Sequence, residues 1–257
     1  MKIITIAQNT FREAIRSKVL FTVFFFVALL IAIAAVFGSV SIGDHAKVVK
    51  DFGLFSISFF GAVVAIISGV SLLNKELKQK TIYNILSKPV TRLEFIVGKF
   101  LGLAFTTSII IMLMGACVMT LTFFIEGKWD LLFLQGIFMT ILEIIVICAV
   151  TMFFSSLVVT TILSGLFTFA AYLGGRGIEY INYFFTSGEF TRPELIPMAK
   201  LFRTILPHLN NFNFADRLVY GHPISAPEAT WAVVYCLSYS MIVLILAAFI
   251  FDTREFN

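Results

Sequence analysis

Apolar positions in this chain fall in long unbroken blocks, with the polar and charged residues gathered between them instead of alternating along each segment. A helix that crosses a hydrocarbon core needs about 20 consecutive apolar residues. Six blocks approach or exceed that length, at residues 19–38, 52–73, 100–125, 131–154, 157–175 and 230–251. The run from Leu131 to Gly175 is interrupted only by Glu143. At about 1.5 Å of rise per residue it is about twice too long for one crossing, so it is expected to fold back near Ser155–Ser156.

The polar intervals carry helical periodicity of their own. Within residues 2–18, Ile3, Ile4, Ala7, Phe11, Ala14 and Ile15 share one helical face, and Lys2, Asn9, Arg12, Glu13 and Arg16 take the other. An apolar stripe with basic flanks beside a membrane span predicts a helix lying in the interface, its cations among anionic headgroups. Between the second and third blocks, Asn74 to Gly102 forms a charged island. Leu77, Ile82, Ile85 and Leu86 recur there at helical spacing against a Lys-rich face. Pro89 disfavours helix at Lys88, and Thr91-x-x-Glu94 reads as a capping box that starts a new helix, with Val90 and Phe95 placed for a hydrophobic staple. The island is therefore expected to be a folded hairpin.

Composition agrees with a bilayer as the solvent. With 59% hydrophobic residues, 13% charged and 30 Phe in 257 residues, the chain lies far outside the range of soluble globular domains. Cys117, Cys148 and Cys236 all fall inside apolar blocks and read as small packing residues. The first apolar run is too long for a cleaved leader and is expected to remain as an anchor. The net charge of +4 follows topology, so no nucleic-acid partner is implied. Lys2, Arg12, Arg16 and Lys18, and likewise Lys75, Lys78, Lys80, Lys88, Arg92 and Lys99, fall on one side of an alternating six-span layout. The positive-inside rule places that side, and both termini, in the cytoplasm. The loops near 39–51 and 126–130 and the long segment 176–228 are then external.

The fold class expected is all-α and polytopic, a single membrane domain of six transmembrane helices. Residues 1–18 form the interfacial helix, 19–73 spans 1 and 2, 74–99 the cytoplasmic hairpin, 100–175 spans 3 to 5, 176–228 an external or re-entrant helical segment, and 229–257 span 6 with a cytoplasmic tail.

The island also carries a family resemblance. Glu76, Thr81-Ile82, Leu86-Ser87-x-Pro89-Val90-x-Arg92-x-Glu94-Phe95 and Gly98-Lys99-x-x-Gly102 resemble the loop between the second and third spans of ABC-2 type exporter permeases. They look most like the permeases of multicopper-enzyme maturation, and Asn9 to Arg16 is similar to the opening of the same proteins. The resemblance implies a permease subunit whose coupling helix, here Lys75 to Ser87, docks on a separate ATPase. By matching position Glu76 belongs to that helix with Thr81, Ile82, Tyr83 and Leu86, the apolar members would anchor it, and Arg92 and Glu94 would fix its geometry. It further implies a second copy or paralogue as dimer partner and a prokaryotic inner membrane. ATP and Mg would be bound by the partner subunit, and no cofactor by this chain.

The remaining chemistry is sparse. No G-x-x-x-x-G-K-[ST] loop occurs, so the chain has no phosphate cradle of that kind. H-E-x-x-H and G-x-S-x-G are absent too, and the expected subunit is non-catalytic. Glu143 is the one acid within a block; burying its charge in lipid costs ~2.5 kcal/mol or more, so it is expected to face protein or water, or to be protonated. Small residues in the second and third blocks (Gly61, Ala62, Ser68, Gly69, Ser71, Gly115, Ala116) suit close packing, a dimer seam or a path.

Gly174-Gly175-Arg176-Gly177 reads as a flexible exit from span 5. Beyond it, Thr191-x-x-Glu194 starts an amphipathic helix that Pro207 stops, expected on the external leaflet or in the outer mouth. Five basic and five acidic residues leave 176–228 neutral. His208 and His222 read as polar loop residues, without the ligand spacing of a metal site. An ion-driven secondary transporter is the competing reading, and it is expected to carry several intramembrane ionisable groups where only Glu143 is seen.

Overall fold

The computed structural model describes residues 2–16, 25–26, 29, 32–33, 36, 45–78, 91–158, 160–186 and 204–253. Every regular element among them is helical: α1 (Lys2–Arg16), α2 (His45–Lys78), α3 (Arg92–Glu126), α4 (Leu132–Leu157), α5 (Thr161–Thr186), a 3-10 turn (Leu209–Phe212), α6 (Ala215–Val219) and α7 (Ala226–Thr253). Four of these, α2, α3, α4 and α7, are long and apolar enough to cross a membrane. The described residues of the first apolar block, among them Phe25 and Phe26, are helical as well, and both rings pack on Phe60 of α2.

The register of close contacts shows how the bundle is laid out. A Cβ at Gly53 of α2 would touch Val118, one at Gly61 Ile111 and Ile144, and one at Gly69 Leu103 and Thr151. As α2 advances, its neighbours on α3 fall in number and those on α4 rise, so α3 runs antiparallel and α4 parallel to it. Arg176 of α5 reaches back to Glu143, and Phe167 stacks on Phe154, so α5 is antiparallel to α4. Ile224 meets Gln135 and Cys236 meets the Leu142 carbonyl, so α7 runs with α4. One end of the bundle thus collects α1, the start of α3 and the finish of α7. The other collects the starts of α2, α4 and α7 with the 3-10 turn and α6.

Helix α4 is the axis. Ile144, Val146, Ile147, Cys148 and Ala149 are fully buried, which takes in every side of the helix. A helix that is apolar all round is stable only where neighbours or lipid cover it on all faces. The outer helices keep apolar stripes turned away from the protein, such as Val234, Leu237, Met241, Ile245 and Phe249 on α7. In a bilayer such stripes meet lipid tails or another apolar surface without penalty.

Several boundaries depart from the pattern-based reading. The segment taken as a loop up to Asp51 is helical from His45, and Lys75 to Lys78 are the last turn of α2 instead of the start of a separate helix. The rest of that expected coupling helix, residues 79–87, lies outside the described residues, as do Pro89 and Val90. Helix α4 ends at Leu157 and the next helix begins at Thr161, so the fold-back comes just past Ser155–Ser156. The expected break at Gly174-Gly175-Arg176-Gly177 is absent, for α5 continues to Thr186. Two of those glycines serve close approach: a Cβ at Gly175 would lie 2.5 Å from the Pro207 carbonyl oxygen, and one at Gly174 2.9 Å from Leu206. The amphipathic helix expected from Thr191 falls, up to Arg203, outside the described residues.

The glycines of α2 and α3 are used in packing within the chain, whereas Ser71 and Ala116 are exposed. Gly61 and Gly69 seat α3 and α4, and Gly115 is filled by Ile137 of α4.

Candidate functional site

Two arrangements stand out, one at the end where α1 lies and one in the middle of the bundle.

At the first, the expected capping box is present. Thr91 Oγ1 accepts from the Glu94 backbone N–H at 3.2 Å, and the Glu94 carboxylate accepts from the Thr91 N–H at 2.9 Å. Two otherwise unpaired donors are satisfied, which sharpens the start of α3. Arg92 does something the sequence did not disclose. Its Nη1 donates to the carbonyl oxygens of Phe251 and Asp252 at 2.8 Å each, and its Nε lies 3.4 Å from the Asp252 carboxylate. A guanidinium at a helix C-terminus meets the carbonyls that have no partner within the helix and the negative end of its dipole. Phe95 stacks on Phe251 just beneath, with ring centroids 6.0 Å apart. The start of α3 is thereby bolted to the finish of α7.

The same stretch of α3 receives α1. Gly98 and Gly102 sit one helical turn apart, and a Cβ at Gly102 would lie 2.6 Å from Thr10 Cβ and 2.7 Å from the Ala7 carbonyl. Gly98 makes the matching contact with Ile6 and Ile3. This small-x-x-x-small pair lets two helix backbones approach closely. Thr10 is completely buried and turns its hydroxyl onto the Ile6 carbonyl, while Phe11 packs on Phe105. The buried face of α1 therefore includes Ile6 and Thr10, rotated from the expected stripe, and Ile4 is 63% exposed. Lys99, counted among the basic flank, is buried with its ammonium 5.9 Å from the Phe95 ring centre.

Of the residues expected to contact an ATPase, Arg92 and Glu94 are thus placed in this frame, and Glu76 lies in the final turn of α2. Thr81, Ile82, Tyr83 and Leu86 lie outside the described residues.

The second arrangement surrounds Glu143, halfway along α4. Its side chain is 2% exposed, and Arg176 meets it from α5 with Nε 2.9 Å from Oε1 and Nη2 3.2 Å from Oε2. Ser58 of α2 donates to Oε2 at 2.7 Å and accepts from Arg176 Nη2 at 2.8 Å. Tyr172, one turn before Arg176, places its hydroxyl 3.5 Å from Ser58 Oγ and its ring 5.7 Å from the guanidinium carbon. The carboxylate is therefore a partnered acid facing protein. Two opposite charges in a closed network avoid the cost of an isolated charge in a low-dielectric interior.

Arg176 was missed because adjacent glycines read as a helix exit. The i, i+4 spacing of Tyr172 and Arg176 would have placed them on one face had the helix been continued through those glycines.

Above this network lies a cavity of about 200 Å³, lined by Asp51, Phe52, Leu54, Phe55, Gly136, Thr140, Glu143, Arg176, Phe212, Asn213, Phe214, Ala215 and Asp216. The end of the bundle around it is tied by ion pairs. Lys50 Nζ lies 2.8 Å from both Glu126 and Asp130, joining α2 to the α3–α4 turn, and Arg217 pairs with Glu228 at 2.7 Å. His208 donates its backbone N–H to the Tyr235 hydroxyl, and His222 is exposed. Among the described residues no group of three or more His, Cys, Asp or Glu is placed to hold a metal ion.

A protein-family model described as "ABC-2 family transporter protein" matches residues 4–256. No curated protein matches the chain significantly.

Proposed function

The chain belongs to the ABC-2 transporter family, and from that premise we propose that it is the permease subunit of an exporter driven by ATP hydrolysis on a separate polypeptide. The observation that carries this reading is the family match over nearly the whole chain, since the matched region takes in every described helix apart from the first two residues of α1. The sequence holds no phosphate-binding loop of the Walker type, which supports an engine on another chain.

In this reading the segment between α2 and α3 is the coupling element. Glu76, Thr81, Ile82, Tyr83 and Leu86 meet the ATPase, and Arg92 and Glu94 hold the base of the element to the bundle. The frame at that base supports the assignment. A push on residues 79–90 arrives at α3 through a capped helix start, and Arg92 passes it on to α7 while Gly98 and Gly102 pass it to α1. Relay over such a distance needs stiff, contiguous elements, and these contacts provide them.

The basic residues at this end support a cytoplasmic location for both termini, in a prokaryotic inner membrane. Six spans follow when the first apolar block and α5 are counted with the four long apolar helices. A single six-span chain needs a second copy or a paralogue to enclose a path. The likeness of the island to multicopper-enzyme-maturation permeases is the narrower form of the same proposal. An ion-driven secondary transporter is less well supported, because its one intramembrane acid is neutralised by Arg176 within a closed network.

Affinity purification from the native membrane tests the reading. An ATP-hydrolysing chain is expected to accompany the wild-type protein and to be lost from an Ile82→Glu, Leu86→Glu variant that is still inserted at normal abundance. Full retention of the ATPase and of its stimulation by that variant overturns the coupling assignment.

A further inference from the structure

The cavity above Glu143 has a charge and a texture of its own. Its lining holds the carboxylates of Asp51, Asp216 and Glu143 against the single guanidinium of Arg176, which leaves two negative charges in excess. Glu143 and Arg176 already satisfy one another at its floor. The surplus therefore sits with the exposed rim residues of the lining, Asp51 of α2 and Asp216 of α6. Between rim and floor, the walls bring together Phe52, Phe55, Phe212 and Phe214.

From this arrangement we propose that the cavity binds a small organic cation, with an ammonium group between Asp51 and Asp216 and an apolar body against the phenylalanine walls. The sign follows from the lining. An anion would have to take Arg176 from a buried carboxylate that already holds it through two hydrogen bonds, and would pass two like charges on the way in. A cation gains from both rim carboxylates, and its body gains from aromatic surfaces whose faces attract positive charge. A hard metal ion is a poorer occupant, because phenylalanine offers no oxygen ligand and Glu143 is already engaged. The size fits a ligand smaller than the drug-sized molecules that fill pockets of roughly 300 Å³ and above.

The inference rests on the transporter reading for its meaning, since it names the class of cargo, but not for its test. Full-length protein in lipid nanodiscs is titrated calorimetrically with benzyltrimethylammonium, and with benzoate as the anionic counterpart. Saturable binding of the cation is expected, weakened at least tenfold in Asp51→Asn, Asp216→Asn, with no saturable binding of benzoate. Both rim residues are exposed, so the double variant is expected to fold, and a monodisperse elution profile checks that it does. Phe55→Ala, at an exposed wall position, is expected to weaken binding as well. Absence of saturable cation binding, binding unchanged in the double variant, or benzoate binding of similar strength each overturns the proposal. Loss of cation binding while the ATPase still co-purifies sinks the cavity assignment alone. Cation binding by a chain that recruits no ATPase sinks the permease reading and leaves the cavity standing.

Discussion

Arg176 and Glu143 come from different helices and meet through two hydrogen bonds, of 2.9 and 3.2 Å, in a bundle whose core is mainly aliphatic and aromatic. Ser58 adds a third helix to the same contact. The arrangement ties α2, α4 and α5 at the depth where a charge without a partner is least tolerable.

Removing one member is therefore expected to cost more than removing both. Glu143→Ala leaves a guanidinium mostly enclosed without a counter-ion, with an expected loss of about 3 kcal/mol. The neutral pair Glu143→Gln, Arg176→Gln is expected to recover a substantial part of that. Thermal unfolding of the purified protein in one detergent reads the difference. A double variant as unstable as the sum of the single ones would show that the two residues do not act as a pair.

Gly102 is expected to be intolerant of any side chain. Gly102→Val drives a branched side chain into Thr10 and the Ala7 carbonyl, which are backbone or near-backbone atoms of α1. Overpacking of this kind costs about 1–3 kcal/mol, and here it is concentrated on one helix pair. Limited proteolysis within residues 2–16 is expected to speed up while the rest of the chain stays protected. Unchanged cleavage there would place the contact elsewhere.

Arg92 is expected to matter for the end of α7. Arg92→Ala removes two hydrogen bonds to terminal carbonyls and an ion pair with Asp252, worth about 1.5 kcal/mol or somewhat more together. Amide hydrogen exchange around 249–253 is expected to rise, and Arg92→Lys to restore it only in part, because one ammonium cannot reproduce the planar fork. Exchange that stays at the wild-type level in Arg92→Ala would refute the clamp.

At the opposite end, Lys50→Met is expected to loosen the turn between α3 and α4. Lys50 is 9% exposed and bridges Glu126 and Asp130, so its loss sets two carboxylates facing each other without a cation. Gly127, which ends α3 at φ 69°, is expected to be sensitive as well: Gly127→Ala costs about 1 kcal/mol from backbone strain. Spin-label mobility at residue 128 is expected to increase in both variants, and an unchanged spectrum in Lys50→Met would show that the ion pairs do not hold the turn.

What the sequence determined by itself is the part of the structure set by near neighbours and by the solvent. Blocks of apolar residues require helices in a bilayer, because unpaired backbone groups are too costly in lipid, and four long helices lie where the blocks do. The Thr91–Glu94 capping box was legible for the same reason, since both hydrogen bonds close within three residues. Only the tertiary structure decided what depends on residues far apart in number. It turned Gly174 and Gly175 from a supposed exit into packing surfaces, gave Glu143 its partner in Arg176, and sent Arg92 to the carbonyls of α7. It also gathered Asp51 and Asp216 on one rim, although the segment 176–228 is neutral when counted along the chain. Helical periodicity fixes which face a residue occupies but carries no information about which helix comes to cover that face; the choice belongs to the packing of the whole bundle.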